Sequence, residues 1–396
     1  MSLFKKPYQA KYQKKSKLAM GSLLYFLAVV AAIGLSVAVS IPMLSTVLSG
    51  FAGGTSSGNT SAKELEIMNR YDMYMTNSVG DALDGIVAIE RIYWLSDEDL
   101  IAPEPRKDCA GQTTDPSSLE WLLQEAEEKL GVTDTLFSTD VDILDGSAVH
   151  YYLDDTIMVI TWKELVDTCA YTFSEVKIKH PSQFRRFLAD GAYGSAKQYL
   201  TTEMAATVNA VTASSGDFYK FRSNGVMVYN GDVYRNDGSV DTCYITEDGE
   251  MIFSKQGQIT NKAAAEKFVE DNKVRFSLAF GPILVEDGKV PEDVGRTYPI
   301  GEGHHRYSRA GLGQLGELHY LMVTANLTTG YDAGTPTITM FANRMQSFGC
   351  QKAYSLDGGQ TAVIVTNDQL INRPDYGYQR QISDIIYFAT ALPEED

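Results

Sequence analysis

FGCQKAYSLDGGQTAVIV, residues 348–365, holds a helix stop, two apolar runs and the turn between them. Gly349 ends a helix. A short strand then runs to Leu356. Asp357, Gly358, Gly359, Gln360 and Thr361 follow, and Ala362 to Val365 is apolar again. Two strand-like runs around a Gly-rich turn predict a hairpin, and so an antiparallel neighbourhood. The turn also places a carboxylate at a strand end, beside glycines that let backbone approach a ligand closely. Asp357 is therefore a candidate site residue.

Outward from this stretch the chain alternates strands with a few helices. His150–Leu153 and Thr156–Trp162 flank Asp154 and Asp155 as a hairpin, and Tyr171–Ile178 reads as another strand. Asn-Gly or Asp-Gly pairs at Asn224, Asn230, Asp237 and Asp248 separate short β-prone runs and predict a meander of hairpins over 213–255. Arg275–Val285 and Glu317–Ala325 read as further strands. Ser117–Gly131 has one apolar face, a Ser117/Glu120 capping box and a glycine stop. Helices are also expected near Pro181–Asp190, Thr201–Val211 and Thr260–Asn272, and from Thr335-Pro336 to Gly349. The fold class is α+β, with mainly antiparallel sheets and flanking helices.

The net charge of −17 is uneven. Residues 1–50 hold six lysines and no acid, leaving 28 basic and 51 acidic groups in the remainder. So acidic a body argues against a nucleic-acid partner. Leu18 to Val47 is uncharged and mostly apolar, long enough at about 1.5 Å per residue to cross a bilayer core of about 30 Å. The preceding lysines orient it with the N-terminus in the cytoplasm. Its length exceeds the roughly 7–15 residues of a signal-peptide core, which favours an uncleaved anchor. The expected organisation is a basic cytoplasmic tail (1–17), a transmembrane helix (18–48), a Gly/Ser-rich tether (49–62), a helical stalk or extension (63–140) and a main domain (141–396). The four scattered cysteines show no zinc spacing, and their pairing is not readable.

Four segments carry candidate chemistry: Ala213–Tyr219, His304–Gln314, the Asp357 turn, and Asn372–Asp384 just before the final strand. Within them lie Ser215-Gly216-Asp217-Phe218-Tyr219, followed by Asn230-Gly231, then Arg309-Ala310-Gly311-Leu312-Gly313, then Ser355-Leu356-Asp357-Gly358-Gly359-Gln360-Thr361, then Arg380-Gln381-Ile382-Ser383. In this order and spacing they resemble the phosphodiester glycosidases related to the mannose-6-phosphate uncovering enzyme. The resemblance covers about residues 170–390. The chain departs from that pattern at Ser215, at Ser308-Arg309-Ala310, at Asn326 and at Ala362.

The resemblance implies hydrolysis of the bond between an α-linked sugar, typically N-acetylglucosamine, and a phosphodiester. A phosphodiester leaves as a stable anion, which arginine forks suit, so Arg309 and Arg380 are the expected binders. Asp357 and Asp217 are the expected carboxylates at the oxocarbenium-like sugar carbon. Thr361 and the Gly358 and Gly359 backbone would orient the phosphate, and Tyr219 would stack on the sugar. Adjacent His304 and His305 would face opposite ways on a strand, so a loop is expected there rather than a metal pair. No catalytic metal or cofactor is expected, although loop carboxylates leave room for a structural Ca²⁺. The expected setting is extracellular, on envelope or exopolysaccharide glycans. The alternative is a non-catalytic, membrane-anchored envelope protein that binds glycopolymer.

Overall fold

The structure, a computed structural model, describes residues 101–298, 301–327 and 334–391. The expected tail, membrane span, tether and the first part of the stalk (63–100) lie outside the described residues. Among the described residues, no helix is long and apolar enough to cross a membrane.

In chain order, β1 (Ala110–Thr113) and α1 (Glu120–Leu130) precede β2 (Val149–Leu153), β3 (Ile157–Val166) and β4 (Cys169–Ile178). β5 (Phe184–Leu188), α2 (Thr201–Thr207) and β6 (Thr212–Ser215) come next. Two hairpins follow, β7 (Gly225–Tyr229) with β8 (Asp232–Asp237), and β9 (Thr242–Thr246) with β10 (Met251–Ser254). Then come α3 (Lys262–Asp271), β11 (Val274–Leu278), β12 (Ile283–Val285), β13 (Thr297–Tyr298) and β14 (Gly301–Glu302). The last part holds β15 (Arg309–Gly316), β16 (His319–Leu327), α4 (Ile338–Ser347), β17 (Lys352–Leu356), β18 (Ile364–Thr366), β19 (Gln369–Leu370) and β20 (Asp384–Phe388).

Two antiparallel sheets organise the unit. The larger has the order β1-β2-β3-β4-β16-β15-β17-β12, and the smaller β19-β18-β6-β20-β5. Strand alternation sends neighbouring residues into different cores. Ile157 and Val159 of β3 pack between the sheets with Phe184, Ile386 and Phe388. Met158, Ile160 and Trp162 point the other way, against Leu122 and Ala126 of α1 and Phe341 and Met345 of α4. In β20, Ile385 and Tyr387 turn from the inter-sheet core towards Met204 and Ala205 of α2. The layers are therefore helix, sheet, sheet, helix. This is why β3 is buried along its first six residues rather than alternately. Each fully buried large apolar side chain contributes about 1.5–3 kcal/mol.

Several local readings change. The segment near Pro181–Asp190 is not a helix: one 3-10 turn leads into β5, which pairs with β20. Its Phe184 and Phe187 face opposite cores, a period of two that long-range pairing supports. The 213–255 hairpins do not form one meander, because β7-β8 and β10-β9-β11 are separate sheets. Residues 275–285 split into β11 and β12, which join different sheets. Asp115, not Ser117, caps the turn before α1, and Thr337, not Thr335, caps α4. Residues 101–140, expected to end a helical extension, supply β1 to the large sheet and α1 to its face. All four cysteines are free thiols.

Candidate active site

The opening turn is not a hairpin. β17 belongs to the large sheet and β18 to the small one, so residues 357–363 carry the chain from one sheet to the other. Gly359–Thr361 forms a single 3-10 turn, with Gly359 at φ +66°. Ala310 pairs with Leu356, which sets the start of β15 beside Asp357. From the small sheet, the end of β6 and the start of β20 meet at the same place: Gly216 N donates to the Asp384 carbonyl at 3.0 Å, and Asp357 N to the Gly216 carbonyl at 3.3 Å. The two sheets thus bring together strand ends from four separate parts of the chain.

A cavity of about 250 Å³ opens here, walled by Asp357, Gly358 and Gly359 on one side and by Tyr307, Ser308 and Arg309 on another. Phe280, Pro282, Val294 and Ile338 give it an apolar wall, and Arg296 adds a second guanidinium. Gly358 is needed for close approach, since a Cβ there would lie 2.5 Å from the Ser308 carbonyl oxygen. Ser308 is fixed in turn by a 2.5 Å hydrogen bond from its hydroxyl to Asp375.

Asp357 is the cavity's carboxylate. It is largely buried, and its Oδ2 lies 2.9 Å from Nη2 of half-exposed Arg380. Burial pushes its carboxyl up from the usual range; Arg380 opposes this, followed by the Thr361 hydroxyl and the charge of Arg222. Ser215 donates its hydroxyl to the Asp357 carbonyl at 3.3 Å, so one departure from the family pattern supports the residue it neighbours. Arg309 donates to the carbonyls of Pro336 and His305 and lies over the Tyr307 ring at 5.2 Å. No carboxylate of the described residues pairs with it. Burial lowers its pKa to about 10, which leaves it cationic at neutral pH and open to an anion.

Asp357, Arg309, Gly358 and Gly359 therefore share the cavity wall, with Arg380 bound to Asp357. Asp217, Tyr219 and Thr361 do not reach it. Asp217 is fully buried, 2.8 Å from Arg186, and accepts backbone N–H groups from Tyr219 at 2.8 Å and Ala279 at 2.7 Å. Its oxygens are occupied by structural partners, so the catalytic role expected for it has no geometric basis. Tyr219 is buried in the core with Tyr193 rather than placed to stack on a sugar. Thr361 turns back to donate to the Gly358 carbonyl at 2.8 Å.

Asp384 ends the fourth candidate segment, but the sequence reading assigned it no role. It lies 2.7 Å from Arg186 and shares a narrow pocket with Asp357, Ser215 and Phe218. Burial pushes its carboxyl up to about 7, against the pull of Arg186. Gly216 leaves it room, because a Cβ there would meet its Oδ2 at 1.8 Å. The available signal was its place at the end of the Asn372–Asp384 segment, just before the final strand.

His304 and His305 are exposed in a loop, and His305 Nδ1 shares a 3.2 Å hydrogen bond with the Tyr307 hydroxyl. Among the described residues, no group of three His, Cys, Asp or Glu side chains is placed to hold a metal ion.

Residues 206–389 match the family model of the phosphodiester glycosidases. This segment belongs to that family. The phosphodiester glycosidase segment contains β6 to β20 and every cavity residue named above, while β1 to β5 lie before it. Two solved structures are similar over a little more than half of the chain. One is the catalytic domain of zebrafish N-acetylglucosamine-1-phosphodiester alpha-N-acetylglucosaminidase, auto-inhibited by its pro-peptide: 17% identity, 59% of this chain and 83% of that one, TM-score 0.47. The other is a hypothetical protein from Synechocystis: 13% identity, 61% and 64% covered, TM-score 0.48. No curated protein sequence matches the chain.

Proposed function

We propose that this protein hydrolyses the bond between an α-linked amino sugar, such as N-acetylglucosamine, and a phosphodiester. The observation that carries the reading is that Asp357, held by Arg380, and Arg309, which has no carboxylate partner among the described residues, share the wall of one cavity. The phosphodiester oxygens would take the Arg309 guanidinium, and Arg380 would turn from Asp357 towards the phosphate. Asp357, released from that pair, would face the anomeric carbon as positive charge develops there. It would act as nucleophile or as base for water. Cleavage at the anomeric carbon releases the phosphate as a monoester anion, which arginine binding stabilises, so no strong general acid is required. The apolar wall of Phe280, Pro282 and Val294 would keep bulk water from the reacting centre.

The setting is part of the same proposal. Residues 18–48 anchor the chain in a membrane, and the lysines before them keep the N-terminus inside, so the site faces the envelope or exopolysaccharide glycans outside. The test is release of free sugar from a sugar-1-phosphodiester by the full-length chain in detergent, with Asp357→Asn as control. Removing the reacting carboxylate should lower the rate by about 10²–10⁴-fold. Equal turnover by wild type and Asp357→Asn would remove Asp357 from the mechanism. Tight binding of the substrate with no turnover by wild type would favour a glycopolymer-binding protein instead.

A further inference from the structure

We propose that Arg222 is an additional anion-binding residue of this site, held against two aromatic rings until a phosphate oxygen reaches its buried Nη1 atom. The proposal rests on the reading that the site takes a sugar phosphate, and it adds a residue that no motif marks.

Three observations carry it. First, Nη1 of Arg222 is buried and has no hydrogen-bond partner among the described residues. Buried guanidinium N–H groups are rarely left unpaired, and an unpaired one beside a cavity has room for a ligand as its partner. Second, the guanidinium sits beside the site. It lies over the ring of Phe280, which lines the cavity, at 4.5 Å, and over Phe218 at 5.4 Å. Arg380, the partner of Asp357, lies over the same Phe218 ring at 5.3 Å. One aromatic ring therefore carries both guanidinium groups, which makes Arg222 a neighbour of the Asp357–Arg380 pair. Third, the loop that presents Arg222 is firmly built. Arg235 donates to the carbonyls of Tyr219 at 2.9 Å, Arg222 at 2.7 Å and Gly225 at 2.8 Å. Phe218 is held at φ +66°, a region that a bulky residue rarely adopts and that is found where surrounding structure imposes it.

Arg186 shows what a structural arginine looks like in this fold. It is fully buried, and its guanidinium is bound by Asp217, Asp384 and the Ser277 carbonyl. Arg222 has no such set: no ion pair joins it to an acid of the described residues. The charges of Asp217 and Asp357 act on it from a distance, and its direct contacts are aromatic faces, an arrangement that leaves the N–H fork for an oxyanion.

The probe is inorganic phosphate, added to the full-length chain in detergent and followed by calorimetry and by the shift in Tm. Wild type should bind phosphate. Arg222→Met should bind it roughly tenfold or more weakly, the scale of a lost charge-assisted hydrogen bond. Without phosphate the variant should melt at the wild-type temperature or above, because an unpaired buried donor has been removed; a merely structural arginine would lower it. With a sugar-1-phosphodiester, KM should rise more than kcat falls. Phosphate binding unchanged in Arg222→Met, or absent in wild type, overturns the proposal. If Arg222→Met does not fold, Arg222→Lys decides, since an ammonium cannot reproduce the fork and must also bind more weakly. Phosphate binding that depends on Arg222 without any sugar release would uphold this inference while removing the glycosidase reading.

Discussion

The side-chain amide of Asn326 donates to the carbonyl of Ala362 at 3.2 Å, deep between the two sheets. Both residues depart from the family pattern, and they meet. Asn372 completes the arrangement: its Nδ2 donates to Asn326 Oδ1 and to the Ala362 carbonyl, each at 2.7 Å, while its Oδ1 accepts from Ile364 N at 2.8 Å. The chain leaving the Asp357 turn is thus tied to the end of β16. Asn372→Leu leaves several buried groups unpaired, at about 1–3 kcal/mol each. The expected result is a lower urea midpoint together with weaker turnover. An unchanged midpoint would show that the amide pair does not hold the turn.

Arg186 binds two buried carboxylates, Asp217 at 2.8 Å and Asp384 at 2.7 Å. Arg186→Met would strand both charges in the core and should cost about 3–5 kcal/mol. Asp217→Asn should likewise lower stability rather than act selectively on rate, since it places an amide against the N–H groups of Tyr219 and Ala279. Equilibrium unfolding in urea measures both. A fully stable but inactive Asp217→Asn would restore this residue to the chemistry.

Asp384 gives stability a pH dependence of known sign. Its carboxyl titrates near 7 when folded, whereas an unfolded aspartate titrates near about 3.9. Between about pH 4 and 7 the native state therefore holds a proton that the unfolded chain has released. Its penalty is absent below about pH 4, grows through this window, and is complete above 7. Against Asp384→Asn, which stays neutral, wild-type Tm should fall progressively from pH 4 to 7. A constant difference between the two proteins across that range would contradict the assignment.

Gly358→Ala tests the close approach at the cavity wall. Its Cβ would lie 2.5 Å from the Ser308 carbonyl oxygen, which is backbone and cannot swing aside. Separating the two segments should cost about 1–3 kcal/mol and displace Asp357 from Arg309. Thermal unfolding with sugar release measures both effects, and wild-type values for each would mean the contact is not needed.

Much of the secondary structure was legible because its causes are local. Turn residues at Asp154 and Asn230 and the glycine stop at Gly131 act within a few positions, and they mark the same elements in the structure. The ordered motifs likewise pointed to the family that residues 206–389 match. Apart from the two helix caps, which shift by two residues, the misreadings have long-range causes. Phe184–Leu188 became a strand because β20, some 200 residues later, pairs with it and two cores take its alternate faces.

The order of the motifs, through the family they resemble, was enough to nominate Asp357, Arg309, Gly358 and Gly359, because residue types in sequence order can be matched without knowing how the strands pair. The tertiary structure decided that the Asp357 turn passes between sheets, that Asp217 is locked under Arg186 while Asp384 lies beside Asp357, and that Arg222 keeps an unpaired N–H. Whether a charged group is a structural tie or a free reagent depends on its burial and on which partners reach it. Those partners come from strands far apart in the chain, and only the packing of the two sheets brings them within bonding distance.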